Sequence, residues 1–463
     1  MKNNIDEHID AWRKEIVTDL QALVRLESVA GAAAPGAPFG PGVRAALDFV
    51  LSRARAMGLV AKDVDGYAGH VEFGQGHEMV GILAHLDVVP AGEGWTHPPF
   101  GGEVVDGRLY GRGTVDDKGP VIACLYALAA LREAGFRPVR RLRLILGCDE
   151  EGGSWESIKH YFSVEEKPLY GFSPDAEFPV INAEKGHLWF RVEKEWPKET
   201  RGNDPSILAA EGGTRPNVVP DRCRLVLAPG NRKEKFRRAL QTADPNLIVM
   251  EAGENLQVEA RGRAAHASLP EQGENAIGRL FTALAQVAEW LPAGQAEAVR
   301  FLAEASRHDG TGLGIDQRDE VSGALTVNLG TLAWDATRLV GELDLRYPVS
   351  LEGDQLVTAL RERMATWNLK MEVKHHLPPL YLPADHPLVD KLLLVFREKT
   401  GREAKPLAIG GRTFACALGT GVAFGPVFPG RPELAHQADE YIDLEELILI
   451  AKIYAAAMVA LAG

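Results

Sequence analysis

Cysteine is scarce: the 463-residue chain has four, Cys124, Cys148, Cys223 and Cys416, and none lies in a CxxC pair. This argues against a disulfide framework and a cysteine-built zinc site, and predicts buried thiols in a reducing, cytoplasmic setting. Basic charge is also in deficit, with 51 Lys and Arg against 64 Asp and Glu, a net charge of −13. No nucleic-acid partner is expected, and no basic run is available for an anionic membrane. An apolar h-region is missing too: Met1-Lys2-Asn3-Asn4 leads directly into an amphipathic helical pattern from Ile5 to Val29, so no secretion signal is expected. The apolar stretch from Leu447 onward is interrupted by Lys452 and is short for a membrane span, which predicts a core-packed terminal helix.

With 46% hydrophobic and 25% charged residues, the composition is that of a soluble globular protein able to bury large cores. The length points to two domains, with room for a third. Acids and imidazoles gather at the ends of apolar runs. Val80-Gly81-Ile82-Leu83-Ala84 reads as a buried strand delivering His85 at its carboxyl end, followed by Asp87. Arg143 to Cys148 does the same for Glu150 and Glu151, and Phe172-Ser173 leads to Asp175. Asp116-Asp117 precedes a helical pattern from Asp117 to Gly135, and His436 lies in a late acidic loop. In open α/β sheets ligands bind outside the carboxyl ends of the strands.

Side chains alternate along a strand, so Asp87 falls on the face of His85, where its carboxylate can fix the imidazole tautomer. An HxD triplet alone is weak, and an acidic triplet is usually a solvated turn. Their joint placement is informative, because carboxylates crowded beside apolar strands without a cation cost several kcal/mol per buried charge. Two imidazoles and three carboxylates suffice for two metal ions if one carboxylate bridges. Cys148 ends an apolar strand and reads as core rather than ligand. His375-His376 would point to opposite faces of a strand and is assigned no role, and neither is His187; His97 is at most a loop contact.

The motifs HLDVVPAGEGWTHPPF, GRGTVDDKGP, DEEGGSWE, FSPDAEFPVINAEKG, GGTRPNVVP, HASLPEQGENAI, LDLRYPVS and AHQADE run in order through the chain. They resemble the co-catalytic zinc peptidases that include glutamate carboxypeptidase, succinyl-diaminopimelate desuccinylase and aminoacylase, and most of all the peptidase V (Xaa-His, carnosinase-like) type of bacterial dipeptidase. The resemblance implies that His85 and Asp175 bind one zinc, Glu151 and His436 the other, and that Asp116 bridges them. It makes Glu150 the general base and Asp87 the residue that orients His85, and it implies a cis Asp116-Asp117 peptide. His266 would support the oxyanion, Arg346 would grip the substrate carboxylate, and Asn217, Gly410 and Gly411 would add substrate contacts. By itself, Arg346 reads more simply as a surface strand residue, and His266 as a helix-entry residue. Arg412 departs from the pattern, standing where similar dipeptidases carry a smaller residue, which bears on substrate preference.

Ligands at 85, 116, 151, 175 and then 436 imply a domain-sized insertion of roughly 190 residues. The expected fold is therefore α/β: a mixed-sheet αβα catalytic domain, residues 1–186 and 381–463, interrupted by an α+β lid at 187–380. The family's dipeptidase lids have two βαβ-type lobes. A loop is expected from Glu193 to Pro205, and helices from Asn275 to Leu291 and Asp354 to Trp367. The expected activity is hydrolysis of dipeptides with free termini by metal-activated water, with Glu150 as base. The alternatives are an N-acyl-amino-acid deacylase or desuccinylase using the same metals, and a non-catalytic scaffold; the scaffold would be expected to have lost Glu150 or a ligand. The cofactors are two divalent ions, zinc first, with manganese or cobalt as substitutes. The size of the lid points to a monomer.

Overall fold

The structure, a computed structural model, describes residues 2–196 and 204–463. By mutual contact the chain divides into two compact units. One comprises Met1–Asn182, Leu382–Leu407 and Arg412–Gly463, the other Ala183–Tyr381 and Ala408–Gly411.

The first unit is built on a mixed sheet whose central strand, Met79–His85, is buried at every position. Such strands read as continuous apolar runs because helices cover both faces. Met79–His85 pairs in parallel with Arg141–Gly147 on one side and Tyr170–Ser173 on the other, and Gly421–Ala423 extends the parallel set. Ala68–Phe73 and Val60–Val64 complete the other edge antiparallel. The chain passes through the helix Lys118–Glu133 to Arg141–Gly147, then through Glu156–Val164 to Tyr170–Ser173 across the starting strand. The winding thus reverses beside His85, which opens a crevice at the carboxyl ends of these strands.

Strand alternation divides the core. Val80, Ile82 and Ala84 pack with six helices, Lys2–Ala11, Arg13–Val24, Pro41–Ala56, Lys118–Glu133, Pro387–Thr400 and Leu444–Ala462. Leu83 packs on the other face with Ile145, Ile158, Tyr161 and Phe414. Lys118–Glu133 is buried from Lys118 to Leu131, as expected of a helix that is apolar all round.

The amino-terminal helical pattern breaks at Trp12 and stops at Val24 rather than Val29. The reason is tertiary: Ser28 bonds to Leu86 and Val88, and Val29 forms a β-bridge with Val88. The carboxyl-terminal helix packs into the core, and Lys452 reaches out to Asp10 at 2.7 Å. Among the described residues, no helix is long and apolar enough to cross a membrane.

The second unit holds an eight-stranded antiparallel sheet, in the order Ile248–Ala252, Asn255–Arg261, Arg222–Ala228, Ser206–Gly212, Thr326–Trp334, Arg338–Tyr347, Gly186–Glu195, Lys370–Leu377. At each end a helix links two strands that flank a third: Lys233–Ala243 at one end and Gly353–Thr366 at the other. These are two split βαβ lobes joined in one sheet. Burial alternates strictly along Gly186–Glu195, so the loop expected from Glu193 begins as strand; residues 197–203 of that expectation lie outside the described residues. The pattern at Asn275–Leu291 forms a helix, Ala276–Ala285, capped by Asn275, and then a separate turn at Ala288–Trp290.

Candidate active site

His85 occupies the last position of its strand, and its backbone N–H donates to Asp117 Oδ2 at 3.0 Å. Its Nδ1 lies 2.9 Å from the Asp87 carbonyl oxygen and 3.6 Å from Asp87 Oδ1. A carbonyl only accepts, so Nδ1 carries a proton, and Nε2, which faces Asp116, is the atom that can bind a metal. The Asp87 carboxylate thus lies beside the imidazole, but the backbone carbonyl of the same residue takes the hydrogen bond. The carboxylate itself is fully buried and accepts from the backbone N–H groups of Glu150 and Glu151, each at 3.0 Å.

Asp116 stands between the two imidazoles. Its Oδ1 is 2.9 Å from His85 Nε2, and its Oδ2 is 3.1 Å from His436 Nε2. Asp175 Oδ2 lies 3.8 Å from His85 Nε2, and Glu151 Oε2 lies 3.0 Å from His436 Nε2. Two donor sets result, His85-Asp116-Asp175 and Asp116-Glu151-His436, with Asp116 in both. Ligands about 2.0–2.2 Å from one zinc stand roughly 3.3–3.6 Å apart at the tetrahedral angle, a spacing close to that of these atoms. Mixed imidazole and carboxylate donors suit zinc, manganese or cobalt. Glu150 joins neither set.

The electrostatics match an anionic cluster packed for cations. Burial, then the Asp116 charge, pushes Glu151 up to about 7 and Asp175 up to about 6. Burial, followed by Asp175, holds Glu150 well above the usual carboxylate range. Burial acts the same way on Asp116, but the two histidines outweigh it and hold this carboxylate low. A divalent ion in each set would relieve this crowding.

Several positioning residues escape sequence reasoning. The buried Glu440 accepts from the backbone N–H groups of Gly113, Val115 and Asp116 and from Arg112 at 2.7 Å, which fixes the loop carrying Asp116. The Asp116-Asp117 peptide is cis. Asp439 accepts from Thr96 and from the backbone of His97, whose ring stacks on Tyr110, so His97 is a loop contact. Glu440 lies four residues after His436 and ends the motif AHQADE, but nothing in the sequence says which loop it faces. Cys148 is fully buried, and burial pushes its thiol up, as the core reading expects. Three of the cysteines are buried and Cys416 is partly so.

In the second unit Asn217 and His266 are brought together by the antiparallel bridge of Val218 with His266, and the Asn217 carbonyl accepts from Ala267 at 3.0 Å. The buried Asn328 donates to the carbonyls of Pro216 and Val218 and so brackets Asn217. His266 Nδ1 accepts the backbone N–H of Ser268 at 3.2 Å, and this network places the ring proton on Nε2. His266 lies ahead of the short turn Pro270–Gln272 rather than at a helix entry. Arg346 is 5% exposed, so the surface-strand reading is corrected: the arginine is held inside by Asp344 and by the Gly410 carbonyl at 3.2 Å. A Cβ on Gly410 would come within 2.9 Å of Ser268 Cβ, so this position needs glycine; at Gly411 there is room. His375 and His376 lie on Lys370–Leu377; His376 bonds to Tyr347 and the His375 ring packs on His187.

The sequence pattern of Peptidase family M20/M25/M40 matches residues 81–460. A Bacillus subtilis (strain 168) protein named "Putative dipeptidase YtjP" is 39% identical over 461 residues, 97% of this chain and 98% of that protein. A Staphylococcus epidermidis protein, also named a dipeptidase with the same qualifier, is 35% identical over 98% of each chain. The fold resembles human carnosine dipeptidase 1, with a TM-score of 0.59 at 16% identity covering 100% of this chain and 98% of that one. It also resembles the aminoacylhistidine dipeptidase of Vibrio alginolyticus, with a TM-score of 0.57 at 14% identity covering 96% and 95%.

Because Asp87 holds both glutamate amides beside the His85 ring, Asp87→Ala should weaken metal binding by about 10–100-fold, as loss of an outer partner of a ligand typically does. Competition against a chromogenic chelator measures it, and unchanged affinity would show that the carboxylate plays no part in holding the site.

Proposed function

The chain belongs to Peptidase family M20/M25/M40, a metal-dependent hydrolase family, and from that premise we propose a dipeptidase that works with two divalent cations, zinc first, on substrates with free termini. The observation that carries this reading is Asp116, whose two oxygens each face the Nε2 of a different histidine. His85 and Asp175 would hold one ion and Glu151 and His436 the other, with Asp116 shared. When bound, such a pair lowers the pKa of water toward neutrality and polarises the scissile carbonyl.

Glu150 takes the remaining task. Its carboxyl is held above the usual range by burial and by Asp175, so it suits a group that accepts a proton from water and hands it to the leaving amine. Its absence from both donor sets leaves it available for that transfer. His266, with its proton on Nε2, is suited to donate to the oxyanion that forms as the carbonyl is attacked; one such donor is typically worth about 3 kcal/mol. Arg346 would pair with the free carboxylate of the substrate, and Asn217 would add a polar contact. A lid that encloses both ends of the substrate would limit its length, and a monomer in the cytoplasm is the setting we propose.

Changing Glu150 to Gln keeps size and removes basicity, so turnover should fall at least about a hundredfold with both ions retained. Loss of an ion from Glu150→Gln, read by metal analysis, would instead make this residue a ligand.

Across a substrate panel, free dipeptides should be cleaved far faster than their carboxyl amides, tetrapeptides or N-acyl amino acids, because a closed site that reads a carboxylate rejects each of these. Comparable kcat/KM on a dipeptide, its amide and a hexapeptide would rule out such a site, and preference for acyl-amino acids would favour the deacylase.

A further inference from the structure

A buried guanidinium has to be neutralised and aimed before it can receive a ligand. Asp344, 1% exposed, lies two residues before Arg346 on Arg338–Tyr347, so both side chains fall on one face of the strand. Arg346 donates from Nε to Asp344 Oδ1 at 2.7 Å and from one terminal nitrogen to Oδ2 at 3.0 Å, a side-on fork. Its other terminal nitrogen donates to the Gly410 carbonyl at 3.2 Å. Of five guanidinium N–H groups, three are committed by these bonds, which leaves two, one on each terminal nitrogen. The two terminal nitrogens make up the outer edge, the edge that grips a carboxylate end-on, and each keeps one N–H.

A third side chain supports the clamp from the neighbouring strand. The register sets His187 opposite Arg346, and His187 Nε2 lies 3.1 Å from Asp344 Oδ2. Burial pushes the Asp344 carboxyl up, but the charge of Arg346 and the bond from His187 outweigh it and keep the carboxylate ionised well below the usual range. The resting Arg346-Asp344 pair carries no net charge. Recognition of an anion there depends on the geometry of the outer edge rather than on excess positive charge, and a lysine at this position could not serve both edges.

We infer that Asp344 is a positioning residue for substrate selection: it locks the inner edge of Arg346 so that the outer edge is presented to the free carboxylate of the substrate, with His187 and the Gly410 carbonyl completing the clamp. The inference rests on the reading of Arg346 as the partner of that carboxylate.

The test is a double-mutant cycle on the metal-loaded enzyme, with kcat and KM measured for one dipeptide and its carboxyl amide. Asp344→Asn should raise KM for the free dipeptide by about tenfold, with kcat within about twofold and the amide little changed. In an Arg346→Ala background the same substitution should add nothing to the ratio of acid to amide. Equal losses on acid and amide, or the same loss with and without Arg346, would make Asp344 merely structural and overturn the inference. If Arg346→Ala alone treats acid and amide alike, the reading of Arg346 fails and the inference falls with it. Should Asp344→Asn not fold, His187→Phe keeps a ring, removes one donor from the same carboxylate and keeps the ion pair; it should raise KM for the free dipeptide alone by about two- to threefold, and an unchanged ratio overturns the inference.

Discussion

Carboxylates gathered where strands buried on both faces come to an end are unstable company for one another. Asp116, Glu151 and Asp175 meet at the carboxyl ends of such strands with His85 and His436 around them, and burial acts against the ionised form of every acid in the group. Positive charge has to join them. The mixed sheet of the first unit is arranged to make that possible: the winding reverses beside His85, and the crevice so formed receives loops from distant parts of the chain.

What holds those loops is a second tier of carboxylates turned toward backbone amides. Asp87 accepts from the N–H groups of Glu150 and Glu151, Asp117 from that of His85, and Glu440 from those of Gly113, Val115 and Asp116. Such bonds to ionised acceptors are stronger than neutral ones. Asp149 belongs to the same tier: its oxygens are occupied by Ser154, Ser157 and the amides that open the helix Glu156–Val164, although it sits in one acidic triplet with Glu150 and Glu151. The second unit repeats the principle, with Asn328 bracketing Asn217 and Asp344 holding Arg346.

The parts legible in the sequence were those with a short-range signal. Apolar runs bounded by acids located Met79–His85 and Arg141–Gly147, and the all-round apolar pattern located Lys118–Glu133. The gap between Asp175 and His436 indicated an insertion. The mixed α/β fold and the dipeptide chemistry followed from the order of the motifs. What was not legible depends on contacts between distant residues. Nothing local marks Ser28 and Val29 as paired with Val88, so the helical pattern in the sequence runs past the end of the helix at Val24. Glu440 and His187 look like any acid or imidazole until the loop or strand they face is known. Arg346 read more simply as a surface residue because its counter-ion, although only two positions away, becomes telling only once the strand is known to be buried.

On the proposed reading the site holds two cations with Asp116 between them. Anomalous diffraction from crystals of the metal-loaded protein, together with metal analysis of the same sample, addresses it directly. Two ions per chain are expected, separated by about 3.5–4 Å, one among His85, Asp116 and Asp175, the other among Asp116, Glu151 and His436. A single ion, or none after titration with zinc, manganese and cobalt, would contradict it.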